Sequence, residues 1–141
     1  MKQMQPATTA AIRCSAAALL VACIGSASAA WERAASMDDG MVIYFDAATA
    51  QTTGDIVKMW GLLDYKVAEK DPAGKPYQSV KLLQEFDCKA AQGRTRYYSF
   101  HSAPMGGGQL VHSEARPDAE WLPANRARPG EILWKAACVK K

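Results

Sequence analysis

Between Met41 and Ser113 the chain repeatedly alternates apolar and polar side chains with a period of two. Such a pattern specifies strands with one buried face rather than helices. Met41–Asp46 is a short β-rich run, and Ala47–Gly54 reads as a loop closing a hairpin. In Ile56–Tyr65, Val57, Met59, Leu63 and Tyr65 share one face, while Lys58 and Asp64 share the other with Trp60 and Leu62. Val80–Cys88 puts Val80, Leu82, Phe86 and Cys88 on one side and Lys81, Glu85 and Asp87 on the other, with Gln84 and Leu83 as exceptions. Arg94–Ser102 sets Arg96, Tyr98 and Phe100 against Thr95, Tyr97, Ser99 and His101, and Gln109–Ser113 forms a fifth strand. Asp38-Asp39-Gly40, residues 71–76 and Gly106-Gly107-Gly108 mark turns between these runs.

Outside this region the pattern changes. Trp31–Met37 reads as a lead-in. Arg116–Pro129 holds three prolines and little periodicity, so it is mainly a connecting segment, with room for a short strand near Trp121-Leu122. Pro129–Cys138 fits helix or strand by length. Its early Pro and Glu and late alanines favour a helix, on which Trp134 and Cys138 share a face at i and i+4. The expectation is an α+β domain: a small antiparallel sheet of five to six strands, with a carboxyl-terminal helix packed on its apolar face.

The amino end belongs to export rather than to this fold. Lys2 and Arg13 are the only charges before Trp31, an apolar run covers Ala16–Ile24, and small residues fill 25–30. This is the order of a secretory signal peptide, cleaved after Ala29 or Ala30. The run falls short of the roughly 20 apolar residues that span a bilayer. Leu20-Val21-Ala22-Cys23 also matches a lipobox, in which Cys23 would carry lipid and tie the protein to a membrane. The division expected is a leader at 1–30 and one domain at 31–141, sent to the periplasm, the outer-membrane surface or the medium. Without Lys2 and Arg13 the whole-chain charge of +3 falls to +1, which gives no footprint for nucleic acid.

Two of the four cysteines lie in the leader, leaving Cys88 and Cys138. In an exported domain these have a single intramolecular pairing. Closing the loop between them stabilises the fold by about 4 kcal/mol in the chain-entropy model. A zinc site would need four ligands, and only the chain's 2 histidines accompany these cysteines, so a structural disulfide is the stronger reading.

Motifs for catalysis are sparse. Gly106-Gly107-Gly108 lacks the Lys-Ser/Thr and the helix of a phosphate loop, and no Gly-x-Ser-x-Gly elbow is present. His101 and His112 lie on neighbouring strands, with no third ligand at matching spacing. The expectation is a non-enzyme without catalytic, cofactor or metal residues. Arg94, Arg96, Tyr97 and Tyr98 form a basic-aromatic group on one strand and are the candidate interaction surface, since Arg and Tyr are enriched where proteins meet. The plainer reading of the same residues is a strand with one wet face.

Several landmarks occur in a fixed order: Trp31, Val42–Asp46, Val57-Lys58-Met59-Trp60, Leu63-Asp64-Tyr65, Tyr77-Gln78-Ser79, Glu85–Cys88, Gly106–Gly108, Trp121 and Trp134–Cys138. In this order and spacing the chain resembles the bacterial surface-adhesin E family, over nearly all of residues 31–141. The resemblance implies an antiparallel sheet with a terminal helix tied to it by Cys88–Cys138. It also implies an adhesin-like envelope protein that recognises another protein, such as a host matrix or serum protein. The alternative is a periplasmic accessory protein, structural or stress-related, with no host ligand. An unpaired edge strand would also permit a homodimer by sheet extension.

Overall fold

The computed structural model describes residues 30–139. Cys23 and the cleavage position after Ala29 therefore lie outside the described residues. Six strands run β1 (Glu32–Ser36), β2 (Val42–Thr53), β3 (Ile56–Lys70), β4 (Pro76–Asp87), β5 (Gln92–His101) and β6 (Leu110–Ala115). They form an antiparallel meander in sequence order, and a two-residue β7 (Leu122–Pro123) pairs with the far end of β5. One helix, α1 (Arg128–Cys138), closes the chain.

Two segments depart from the expectation drawn from periodicity. The lead-in contributes β1, although Glu32-Arg33-Ala34-Ala35-Ser36 has little strand propensity of its own. It is held by pairing with β2, and Ala34 packs against the core. Residues 47–53 are strand rather than loop, because β2 and β3 continue to a two-residue turn at Gly54-Asp55. Gly54 has φ 60, which suits the first loop position of a type II′ hairpin. The polar stretch is accommodated by a bulge between Asp46 and Gln51. There Thr49 Oγ1 donates to the Asp46 carbonyl at 2.7 Å and accepts from the Trp60 N–H at 3.1 Å.

The helix lies across the sheet face built from the odd-numbered positions of β3. Met41, Ile43, Val57, Met59, Phe86 and Leu133 form the buried core. Gly61 sits beneath the helix: a Cβ there would stand 3.0 Å from Leu133 Cδ1. Trp134 Nε1 donates to the Asp87 carbonyl at 3.1 Å, and the Cys88–Cys138 disulfide joins the end of β4 to the end of α1 with a Cα–Cα distance of 5.4 Å. Residues 102–109 fold over part of the opposite face. Ser79 Oγ donates to the Ala103 carbonyl at 2.7 Å and accepts from the Gly106 N–H at 2.8 Å. Asp64 Oδ1 accepts from the Met105 N–H at 2.8 Å. Both sheet faces are therefore partly covered, by different segments.

Candidate functional site

The four residues singled out on β5 do not share a face. Leu83 pairs with Tyr97 and Gln84 with Thr95, so Arg96 is the extra residue of a bulge. A bulge resets the alternation. It puts Arg94, Arg96 and Tyr97 on the face away from the helix and Tyr98 on the helix-bearing face. Arg94 Nε lies 2.7 Å from Glu85 Oε2, Arg96 Nε lies 4.0 Å from Glu85 Oε1, and the Arg94 guanidinium caps the Trp121 ring at 4.3 Å. Tyr97 meets Trp60 edge-on with centroids 6.0 Å apart. This trio largely satisfies itself, whereas Tyr98 opens onto a different surface.

That surface is a run of rings on the helix-bearing face. Phe100 pairs in register with Val80 and His112, and Tyr98 pairs with Leu82 and Glu114. Tyr77, opposite Glu69 just beyond an irregularity in β3, joins the same group through its contact with Phe100. Tyr65 meets Tyr77 edge-on at 5.7 Å, Tyr77 stacks on Phe100 at 4.4 Å, and Phe100 leans on Tyr98 at 5.4 Å. His112 completes the run, 5.8 Å from Phe100 and 5.9 Å from Tyr98. Tyr65, Tyr77, Tyr98 and Phe100 are half-buried and His112 is exposed.

Three of these phenols are harder to ionise than a free tyrosine. Burial, with Tyr77 and Glu69 beside it, pushes the Tyr65 phenol up to about 12. Tyr77 is raised by burial and by Glu69. Tyr98 is raised chiefly because its hydroxyl donates to Glu114 Oε2, at 2.7 Å. Its Brønsted chemistry is that of a neutral hydrogen-bonding surface at ordinary pH.

Alternation did not expose this run, because along β4 it groups Tyr77 with Ser79 rather than with Val80, and Tyr65 and His112 come from separate strands. The signal available in the sequence was density of rings: Tyr77, Tyr98, Phe100 and His112 all fall within β4–β6.

The two histidines stay apart. His101 bonds to Ser99 Oγ at 2.8 Å on the face away from the helix, and burial together with Lys81 lowers its pKa. His112 stands on the other face. No cluster of three or more metal-ligating side chains occurs among the described residues. A cavity of about 730 Å³ opens between the sheet, residues 116–123 and the start of α1. Its lining includes apolar Phe86, Leu122 and Ala124; of its charged groups, Arg116, Asp118, Glu120 and Arg126 are exposed, and the part-buried Arg94 is already paired with Glu85.

The model of the family described as surface-adhesin protein E matches residues 31–139. The chain belongs to the surface-adhesin protein E family. Solved structures agree at the level of the fold. A selenomethionine form of Haemophilus influenzae protein E superposes with TM-score 0.59 at 12% identity, covering 82% of this chain and 90% of that one. A second structure of Haemophilus influenzae protein E gives TM-score 0.55 at 12% identity, over 82% and 92% of the two chains. A further crystal form gives 0.53 at 13%, over 68% and 79%. No curated protein sequence matches the chain. Membership in the protein E family makes this a surface-adhesin domain of an exported type, and no helix among the described residues is long and apolar enough to cross a membrane.

Proposed function

We propose that the chain is a surface-displayed binding protein whose ring face, from Tyr65 to His112, meets a partner protein. The stack of Tyr77 on Phe100, continued by Tyr98, carries this reading. Half-buried aromatic rings offer large contact area with few rotatable bonds, and tyrosine is enriched among the residues that dominate interface energies. The family adds the class of role, an adhesin, and with it host matrix or serum proteins as the partners to try first. Export through the 1–30 leader, with cleavage after Ala29 or Ala30 or lipidation at Cys23, is part of the same proposal.

The test is solid-phase binding of the oxidised 31–141 chain to a panel of matrix and serum proteins, with protease accessibility measured on intact cells. Tyr77→Ala and Tyr98→Ala are expected to weaken the captured interaction by tenfold or more, about 1.4 kcal/mol. Lys75→Ala, in the exposed β3–β4 turn, should leave it unchanged. Equal binding by the ring variants would remove this face from the interaction. A protein shielded from external protease would favour the accessory role inside the envelope.

A further inference from the structure

Each end of the ring run carries a carboxylate. Glu69 of β3 stands opposite Tyr77 of β4, and Glu114 of β6 stands opposite Tyr98 of β5. Between the two Tyr–Glu pairs lies Phe100, stacked on one tyrosine and tilted against the other. Glu69 is exposed and makes no ion pair among the described residues. Glu114 has only a loose one, to Arg116 Nε at 3.9 Å, with both side chains about half exposed.

The chain's own cations are mostly directed elsewhere. Lys66 lies over Gly40, and Lys81 packs against Gly106 on the other face of the sheet. Lys70 follows Glu69 directly in β3, so its side chain leaves on the opposite side. An aromatic face attracts a cation through its quadrupole, and a neighbouring carboxylate adds charge attraction that neither exposed group supplies strongly alone. The fold already contains this arrangement once. Arg94 sits over the Trp121 ring while its Nε meets Glu85.

We propose that the ring face recognises a basic segment of a partner protein, with lysine or arginine side chains seated over Tyr77 and Tyr98 beside Glu69 and Glu114. The inference rests on the ring face being the binding surface and names the chemistry that it selects. Charge complementarity is local, because residues 31–141 carry 15 basic against 14 acidic side chains, a net of +1. A basic partner therefore gains little from the overall charge and is held by the two carboxylates at contact, within a Debye length of about 8–10 Å.

The experiment titrates the oxidised 31–141 chain with a short synthetic Gly/Ser peptide bearing several arginines, against the same peptide with arginine replaced by serine. Binding is followed by the ring resonances of Tyr77, Tyr98 and His112. The arginine peptide is expected to shift these resonances and the serine peptide is not, and added salt should weaken binding. Glu69→Gln with Glu114→Gln should lower affinity by tenfold or more while the melting temperature holds. Tyr98→Phe, which keeps the ring, should still bind. Equal binding of the two peptides, or an unaltered affinity in the double glutamine variant, would overturn the basic-segment inference. The ring-face reading would then still be decided separately, by Tyr77→Ala against whole protein partners.

Discussion

Three side chains report on the fold through their protons or their lack of a partner. His101 is held below the ordinary histidine value by burial and by Lys81. A histidine whose folded pKa lies below its unfolded one opposes protonation. Stability is therefore full above the ordinary histidine range and falls as pH drops through 6.5 towards the folded value. His101→Gln should flatten that part of a plot of melting temperature against pH. Tyr65 has the opposite sign. Its phenol is raised from 10.0 to about 12, so the stability tied to its neutral form is intact below pH 10 and is lost between the two values. An absorbance titration should show a phenol ionising near pH 12 that is absent from Tyr65→Phe. Gln84 was visible in the sequence as a polar residue on an apolar face. Its Nε2 donates to Thr95 Oγ1 at 3.3 Å, while Oε1 is buried with no partner among the described residues. An unmet buried acceptor costs on the order of 1–3 kcal/mol, so Gln84→Met should raise the melting temperature, measured by calorimetry. Such polar exceptions can be read from a sequence because alternation fixes their face. The shifts of His101 and Tyr65 cannot, because they come first from burial and then from charged or polar neighbours that the fold brings close, Lys81 for His101 and Tyr77 and Glu69 for Tyr65.

At the scale of elements, the sheet and helix were legible where side-chain pattern and burial coincide. The runs around Val57–Tyr65 and Val80–Phe86 alternate because one face meets Leu133 and its neighbours, so period two is imposed by the core itself. β1 was hidden because pairing with β2 supplies what Glu32–Ser36 lacks in propensity. The extra residue at Arg96 was hidden too, since a bulge changes facing without changing composition, and this is why Tyr98 parted from Arg94 and Arg96. Two of the links between helix and sheet can be tested by substitution. The disulfide closes a separation of 50 residues, so Cys138→Ser should cost about 4 kcal/mol in the chain-entropy model, read as a fall in denaturation midpoint of the oxidised protein. Gly61→Ala would push a methyl group to 3.0 Å from Leu133 Cδ1, and overpacking of this kind costs about 1–3 kcal/mol. Pairing that substitution with Leu133→Val should recover part of the loss, which distinguishes a clash beneath the helix from a general intolerance of β3.

For the molecule as a whole, the helix occupies only part of one sheet face, and the ring run lies on the part it leaves open. A small domain with a limited core can leave that area exposed because the disulfide stabilises the helix–sheet contact independently of buried area. Binding and stability are then separable, and the separation can be measured. Reduction and alkylation should lower the denaturation midpoint and loosen α1, whereas the ring stack is built from β3–β6 and does not include α1. At a temperature where the reduced chain is still folded, its affinity for a ring-face ligand should stay within about twofold of the oxidised value, under 0.5 kcal/mol. Tyr77→Ala should do the reverse, costing affinity with a smaller change in midpoint. Loss of binding on reduction of a chain still folded by circular dichroism would instead place the contact surface on or beside the helix. The basic-segment inference would fail with it, because Glu69 and Glu114 both lie on strands away from the Cys88–Cys138 bond.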